Sequence, residues 1–393
     1  MRSLSILYVA YPLLAVTEQS AGGAEQMLLT LEREMNARGH RTTVAAADGS
    51  RVCGMLLPTG PAASAPDQYE ARERIHSSCI LDHLRRNPHA FDLIHDKSGS
   101  FLRHAADCPI PVLATLHLPR SFYPKELFSD AAQVNREPNT ANHATSSRLA
   151  LGRRTQVRVQ KTDPNLGHQL DQLNLYLNCV SHSQAHSFCD LANPAGVVEN
   201  SIAVEQFPFT RDKDEYILWL GRICEEKAPH LAIAVAQRAG LPLILAGQVY
   251  PFRYHLDYFE REVRPHLNGR WRVRFVDTPL ASQKLELLRH ARALLLTSTV
   301  EETSSLVAME AMACGTPVVA FRRGAFPEIV ADGESGFVVD TVEAMAPALR
   351  EIGRISPEKC RERVERHFNA SRMAHEYEGL YRRVLTSAKE LAA

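Results

Sequence analysis

The sequence predicts an α/β molecule built from two doubly wound parallel sheets that face each other across a cleft. Three observations carry this expectation. Short apolar runs of strand length alternate with segments of helical periodicity. The alternation breaks in a polar middle and restarts near Tyr216. The chain is 393 residues long, which at roughly 150 residues per domain suggests two or three domains.

Taken in order, residues 6–10 (ILYVA) suit a first buried parallel strand. The loop at 19–23 leads into a helix from Ala24, with Met27, Leu28, Leu31 and Met35 on one face and Gly39 at its end. Residues 42–46 read as the second strand, and 91–95, 111–115 and 175–180 as further ones. Residues 48–66, rich in Gly, Pro, Ala and Ser, read as a long loop, and 130–172 as a polar segment of little periodicity. A linker is expected over 199–214. Strands then follow at 216–220, 243–246, 273–276, 294–296 and 318–320. Helices are expected from Pro229 to about Ala239, capped by Gly240, from Ser282 to Ala291, and from Leu306 to Cys314, ended by Gly315. Ligands of such sheets bind outside the carboxyl ends of the strands.

Composition narrows the function. Lys plus Arg and Asp plus Glu both total 45, so the formal charge is zero. That excludes a protein holding nucleic acid or acidic membrane by bulk positive charge. Hydrophobic residues at 45% and charged residues at 23% exclude a disordered chain. The eight cysteines are scattered with no C-x-x-C pair, which reads as reduced thiols in a cytoplasmic protein. The histidines are too dispersed along the chain to read as a metal cluster. No segment approaches the ~18 continuous apolar residues of a membrane span. The first sixteen residues look like a short signal-peptide core, but they run into a glycine loop and an amphipathic helix, which suits a first strand better.

Two constellations carry chemistry. In Glu301–Ala320, Glu310 sits inside an apolar helix, where an ionised carboxylate is costly unless paired. Glu302 stands just before the helix start, and Thr303, Ser304 or Ser305 supplies the N-cap. A helix start with free N–H groups seats a phosphate, and the two carboxylates could grip hydroxyls beside it. The plainer alternative is a capped helix whose Glu310 bonds a neighbouring lysine or amide. In the second constellation, Arg222 and Lys227 follow the strand at 216–220, where a diphosphate would sit. The plainer alternative there is a solvated pair bridging to Glu225 or Glu226.

The E-x7-E pair Glu302 and Glu310 with EAMACGTPVVA, preceded by GR-x4-K at Gly221, Arg222 and Lys227, resembles the retaining glycosyltransferases of family 4, which have the GT-B fold. Gly22-Gly23-Ala24-Glu25 is similar to the family's first glycine loop, and Ser181-His182-Ser183-Gln184 to its serine-containing turn. Glu199-Asn200-Ser201-Ile202 with Phe207 is similar to its linker, although Ser201 stands where a glycine is usual. Residues 324–338 are similar to its glycine-rich tail, and 368–381 to the terminal helix that returns to the first domain. The resemblance implies an acceptor-side Rossmann-like half over 1–200, a nucleotide-sugar half over 201–370, and a returning helix over 371–393.

The resemblance also implies roles. Arg222 and Lys227 would bind the donor diphosphate, Glu310 the ribose hydroxyls, and Glu302 the hydroxyls of the transferred sugar. Backbone N–H groups at Ser305 and Leu306 would complete the phosphate seat. Gly22 and Gly23 would let the first loop approach the phosphates, and Val276 would edge the base. His117, after a first-half strand, would lie near sugar and acceptor, with His95 a weaker candidate. No metal or cofactor is implied, and the acceptor is an unidentified hydroxyl. Thr303-Ser304-Ser305 replace the family's phenylalanine and glycine or proline, which makes the sugar pocket more polar. Alternatives are a GT-B-like epimerase or phosphorylase and a non-catalytic nucleotide-sugar-binding protein. A nicotinamide enzyme is disfavoured because no complete G-x-G-x-x-G follows a strand. The basic group Arg148, Arg153, Arg154, Arg158 and Lys161 could meet an anionic acceptor or a membrane surface peripherally, although such runs more often form a solvated face.

Overall fold

All strand pairings among the described residues are parallel, because each apolar run is followed by a crossover that returns the chain to the same end of the sheet. The computed structural model describes the chain apart from residues 1, 21, 64, 124–173, 190–194, 268, 270–271 and 392–393. The basic group at 148–161 and the polar segment 130–172 lie outside the described residues.

The first sheet contains β1 (Ser5–Val9), β2 (Arg41–Ala46), β3 (Met55–Pro58), β4 (Leu93–Asp96), β5 (Val112–Leu116), β6 (Leu175–Cys179) and β7 (Gly196–Val197), in the order β3-β2-β1-β4-β5-β6-β7. The second contains β8 (Ile217–Leu220), β9 (Leu243–Gly247), β10 (Val273–Asp277), β11 (Ala293–Leu296), β12 (Val318–Phe321) and β13 (Gly336–Val339), in the order β10-β9-β8-β11-β12-β13. Every residue of β1 is buried, as the unbroken apolar run requires when helices cover both faces.

The first half carries α1 (Gly23–Ala37), α2 (Tyr69–Arg86) and α3 (His182–Ser187). The second carries α4 (Pro229–Ala239), α5 (Arg253–Tyr258), α6 (Ala281–His290), α7 (Leu306–Ala313), α8 (Phe326–Ile329), α9 (Val342–Glu351) and α10 (Pro357–His367). The last helix, α11 (Ala370–Leu391), crosses back. Its Met373, Tyr377, Leu380 and Tyr381 share a core with Ile6, Tyr8, Leu28 and Leu31 of the first half. A second core on the opposite face of that sheet joins Leu7 and Val9 to Ile80 and Leu84 of α2.

Two of the departures from the sequence expectation lie in the first half and have a plain physical reason. The loop expected over 48–66 contains β3, a four-residue edge strand. Its closing Pro58 cannot donate to a further ladder, which is tolerated at an edge and disguised the strand in the sequence. Helix α2 was not expected, because only the second half of its inner face is apolar: in the first half Arg72 and His76 are buried, donating to the Thr59 carbonyl at 2.7 Å and bonding its hydroxyl at 2.8 Å respectively.

The chain passes between the halves twice, and the two passages are tied together. Ile202 N–H donates to the Phe368 carbonyl at 2.9 Å, Ala370 N–H donates to the Ile202 carbonyl at 3.0 Å, and Arg372 pairs with Glu199 at 3.3 Å. All eight cysteines are free. Among the described residues no helix is long and apolar enough to cross a membrane.

Candidate functional site

Sheet order locates the site. In the second sheet β8 lies between β9 and β11, so the loops leaving β8 and β11 diverge to opposite faces and open a crevice at the switch point. Those loops carry Arg222 and Lys227 on one side and Glu302 on the other. In the first sheet the equivalent position lies between β1 and β4, and the loop after β1 carries Gly22 and Gly23.

The loop after β8 is held tightly. Gly221 N–H donates to the Ala246 carbonyl at 3.1 Å, and Ile223 N–H to the Gln248 carbonyl at 3.0 Å. The ends of β8 and β9 approach so closely that a Cβ on Gly247, at φ +149°, would lie 1.8 Å from the Gly221 carbonyl oxygen. Thr297 Oγ1 donates to the Lys227 and Ala228 carbonyls at 3.1 and 2.8 Å and accepts from Trp219 Nε1 at 3.1 Å. Thr299 N–H donates to the Glu226 carbonyl at 2.9 Å. The two crevice loops therefore form one braced unit.

On that unit Lys227 Nζ meets Glu302 Oε1 at 2.5 Å, with the carboxylate largely shielded from solvent. Behind Glu302, Ala325 N–H donates to its carbonyl at 2.7 Å, and a Cβ on Gly324, at φ +52°, would lie 2.2 Å from that carbonyl oxygen. Arg222 is exposed beside the crevice. Ser305 is the N-cap of α7, its hydroxyl accepting from Ala308 N–H at 3.4 Å. Glu310, 4% exposed, pairs with Lys284 of α6 at 2.7 Å. The plainer alternative for Glu310, a lysine partner, is thus realised, while Arg222 and Lys227 do not pair with Glu225 or Glu226. Val276 is half-buried near the end of edge strand β10, packed on the second-half core.

The first half closes over this unit. Thr303 Oγ1 donates to the His117 carbonyl at 2.8 Å. Leu306 packs against the cores of both halves, and a Cβ on Gly23 would touch its Cδ1 at 3.4 Å. The backbone N–H groups of His182 and Ser183, at the start of α3, donate to the two carboxylate oxygens of Glu328 at 2.8 and 2.7 Å. Among the described residues His117 Nε2 is buried without a hydrogen-bond partner. Burial first, and the Lys97 ammonium second, hold its imidazole well below the ordinary range, so it is neutral at pH 7.

His95 is structural. It bonds Tyr381 and Thr115, each at 2.7 Å, and Tyr381 bonds Tyr8 at 3.2 Å, so the histidine fastens α11 to the first sheet. Sequence reasoning missed Lys284, Glu328 and Lys97. The first could have been sought as the cation that a buried Glu310 demands; the other two carry no local signal. Lys97 is 2% exposed at the end of β4, against the Tyr377 ring, and burial pushes its amine down to about 7.

Comparison with known proteins places this geometry. Residues 203–367 match the family described as glycosyl transferases group 1. A D-inositol 3-phosphate glycosyltransferase of Corynebacterium efficiens is 36% identical over 132 residues, which are 32% of this chain and 30% of that protein. The chain thus spans under a third of the length of the curated relatives it matches. Over the whole chain, sucrose-phosphate synthase from Thermosynechococcus elongatus superposes with a TM-score of 0.73 at 19% identity, covering 98% of this chain and 100% of that one. Anabaena HepE, solved with UDP-glucose, gives 0.67 at 16%, covering 98% and 100%. The fold is GT-B, and the residues that match the group 1 model hold the second sheet, the crevice loops and α7.

Proposed function

We propose that this chain transfers a sugar from a nucleotide-diphosphate donor to a hydroxyl acceptor with retention of anomeric configuration. The observation that carries the reading is the Lys227–Glu302 pair, delivered by the two switch-point loops of the group 1 domain and roofed by His117 through Thr303. In this reading residues 201–370 hold the donor, residues 1–200 the acceptor, and 371–393 belong with the acceptor half.

Arg222 and Lys227 bind the diphosphate, with the first-turn amides of α7 around Ser305 and Leu306 completing an anion seat. Gly22 and Gly23 bring the first loop against the same place. Glu310, held in position by Lys284, accepts from the ribose hydroxyls, and Glu302 from hydroxyls of the sugar. Val276 borders the base. Charge on the departing diphosphate is stabilised by these preorganised cations and amides, so the reaction draws on positioning and electrostatics and on no cofactor or metal. His117, kept neutral, offers Nε2 to the sugar or acceptor as a hydrogen-bonding group rather than as a cation. The leaving phosphate itself helps to take the acceptor proton on the same face. The named similarity to HepE, solved with UDP-glucose, supports a nucleotide-sugar donor.

A thermal-shift panel of UDP, GDP, ADP and TDP sugars tests the reading, because a ligand bound by the native state alone raises the melting temperature. At least one donor is expected to do so and to be turned over. Arg222→Ala and Lys227→Ala are each expected to abolish the shift and lower turnover by about two orders of magnitude or more. Near-normal transfer by both variants would reject the assignment.

A further inference from the structure

The loop after β8 brings together a set of side chains that the donor reading leaves unused. Cys224, Glu226 and His255 each offer one ligand atom, and the three atoms lie within 4.8 Å of one another. Cys224 and Glu226 come from the β8–α4 loop, and His255 from α5, about thirty residues further along the chain. Neighbouring strands β8 and β9 deliver the two segments side by side.

Three features distinguish this cluster from a chance meeting of polar groups. Cys224 and His255 are 0% and 2% exposed, so water does not compete freely for them. Among the described residues His255 Nδ1 is buried without a hydrogen-bond partner, the kind of orphan that a cation or an ordered water satisfies. The backbone that presents the ligands is fixed: Ala228 N–H donates to the Cys224 carbonyl at 3.1 Å, Ser298 Oγ to the Glu226 carbonyl at 3.2 Å, and His255 N–H to the Phe252 carbonyl at 2.9 Å.

We propose that Cys224, Glu226 and His255 bind a zinc ion that braces the β8–α4 loop against α5. One sulfur, one imidazole nitrogen and one carboxylate oxygen form a borderline-soft set that suits Zn²⁺ and suits neither Mg²⁺ nor Ca²⁺, which take oxygen ligands. With bonds of ~2.0–2.3 Å, ligand atoms around a tetrahedral zinc stand roughly 3.3–3.8 Å apart, so side-chain rotations of about an ångström close the site. Three protein ligands leave the fourth position to water. The ion holds in place the loop that also carries Arg222 and Lys227, and its role is structural. The proposal does not depend on the transfer reading.

The test uses the full chain, free of any purification tag, stripped with chelator and re-equilibrated with Zn²⁺, Mg²⁺ or Co²⁺. The expected results are a single bound zinc by elemental analysis, no retained magnesium, and a thiolate-to-cobalt charge-transfer band in the near ultraviolet with Co²⁺. Cys224→Ser is expected to remove the band, and His255→Gln to weaken zinc binding by about tenfold or more. Cys53→Ser, an exposed cysteine elsewhere, is expected to leave both unchanged. Failure of the wild-type chain to retain zinc overturns the proposal without reference to any variant. Retention of the cobalt band by a folded Cys224→Ser chain, or of full zinc affinity by His255→Gln, overturns it equally, since the metal would then sit elsewhere.

Discussion

At the residue scale, the crevice depends on charges whose partners are fixed. Lys227 neutralises Glu302 in a partly buried pair, so removing the ammonium alone strands a shielded carboxylate. Lys227→Met is expected to cost about 1–2 kcal/mol of stability after allowance for the exposure of the pair, and Glu302→Gln in the same chain to restore part of it. Chemical denaturation of the two single variants and the double variant measures the coupling; simple additivity would show that the pair is not energetically linked. Gly247 is constrained more severely. Gly247→Ala pushes a methyl group into the Gly221 carbonyl at a backbone angle that disfavours side chains, and is expected to destabilise by about 2 kcal/mol or more.

At the element scale, α11 decides whether the first sheet is covered. It meets that sheet through a buried polar network, in which Tyr377 accepts from Asn178 Nδ2 at 3.1 Å and Tyr381 joins His95 to Tyr8. Tyr381→Phe removes the partner of His95 Nδ1 and of the Tyr8 hydroxyl and is expected to cost about 1–3 kcal/mol by denaturant midpoint. Lys97 sits in the same network, and its effect on stability has a definite sign. Burial lowers its amine from 10.5 in the unfolded chain to about 7 in the fold. Below about 7 both states hold the proton and the penalty is complete. Between about 7 and 10.5 the unfolded chain holds a proton that the native state has released, so stability rises with pH across that window. Lys97→Met is expected to flatten the rise, which from this group approaches about 1.4 kcal/mol per pH unit. An unchanged slope in denaturation between pH 7.5 and 9.5 would show that Lys97 is not its source.

At the scale of the whole molecule, the halves touch through a few directed contacts and two tied crossings. Glu328 receives two amides from the start of α3, which places a carboxylate on the positive end of a helix across the cleft. Glu328→Ala is expected to loosen this contact by about 1 kcal/mol, seen as faster hydrogen exchange at the amides of His182 and Ser183, and to lower turnover through poorer closure. Unaltered exchange there would mean that the Glu328 clamp does not set the geometry of the halves, leaving it to the crossings at Ile202 and Phe368–Ala370 and to the contacts of Thr303 and Leu306.

Much of this was legible in the chain itself. Short, uniformly apolar runs such as ILYVA and LILA, alternating with segments of helical periodicity, suit strands covered on both faces, so parallel α/β halves followed from the alternation. Gly221, Arg222, Lys227, Glu302 and Glu310 were readable as a group only through the resemblance that their spacing bears to a known family motif. By contrast, β3 and α2 escaped because an edge strand closed by proline and a helix with Arg72 and His76 on its inner face do not display the hydrophobic period. The pairing of Lys227 with Glu302, the roofing of Thr303 by His117, the clamp on Glu328 and the meeting of Cys224 and Glu226 with His255 were decided by tertiary structure alone. Sequence spacing encodes which face of one element a residue occupies. It does not encode distances between elements, which are set by the order in which the strands pair.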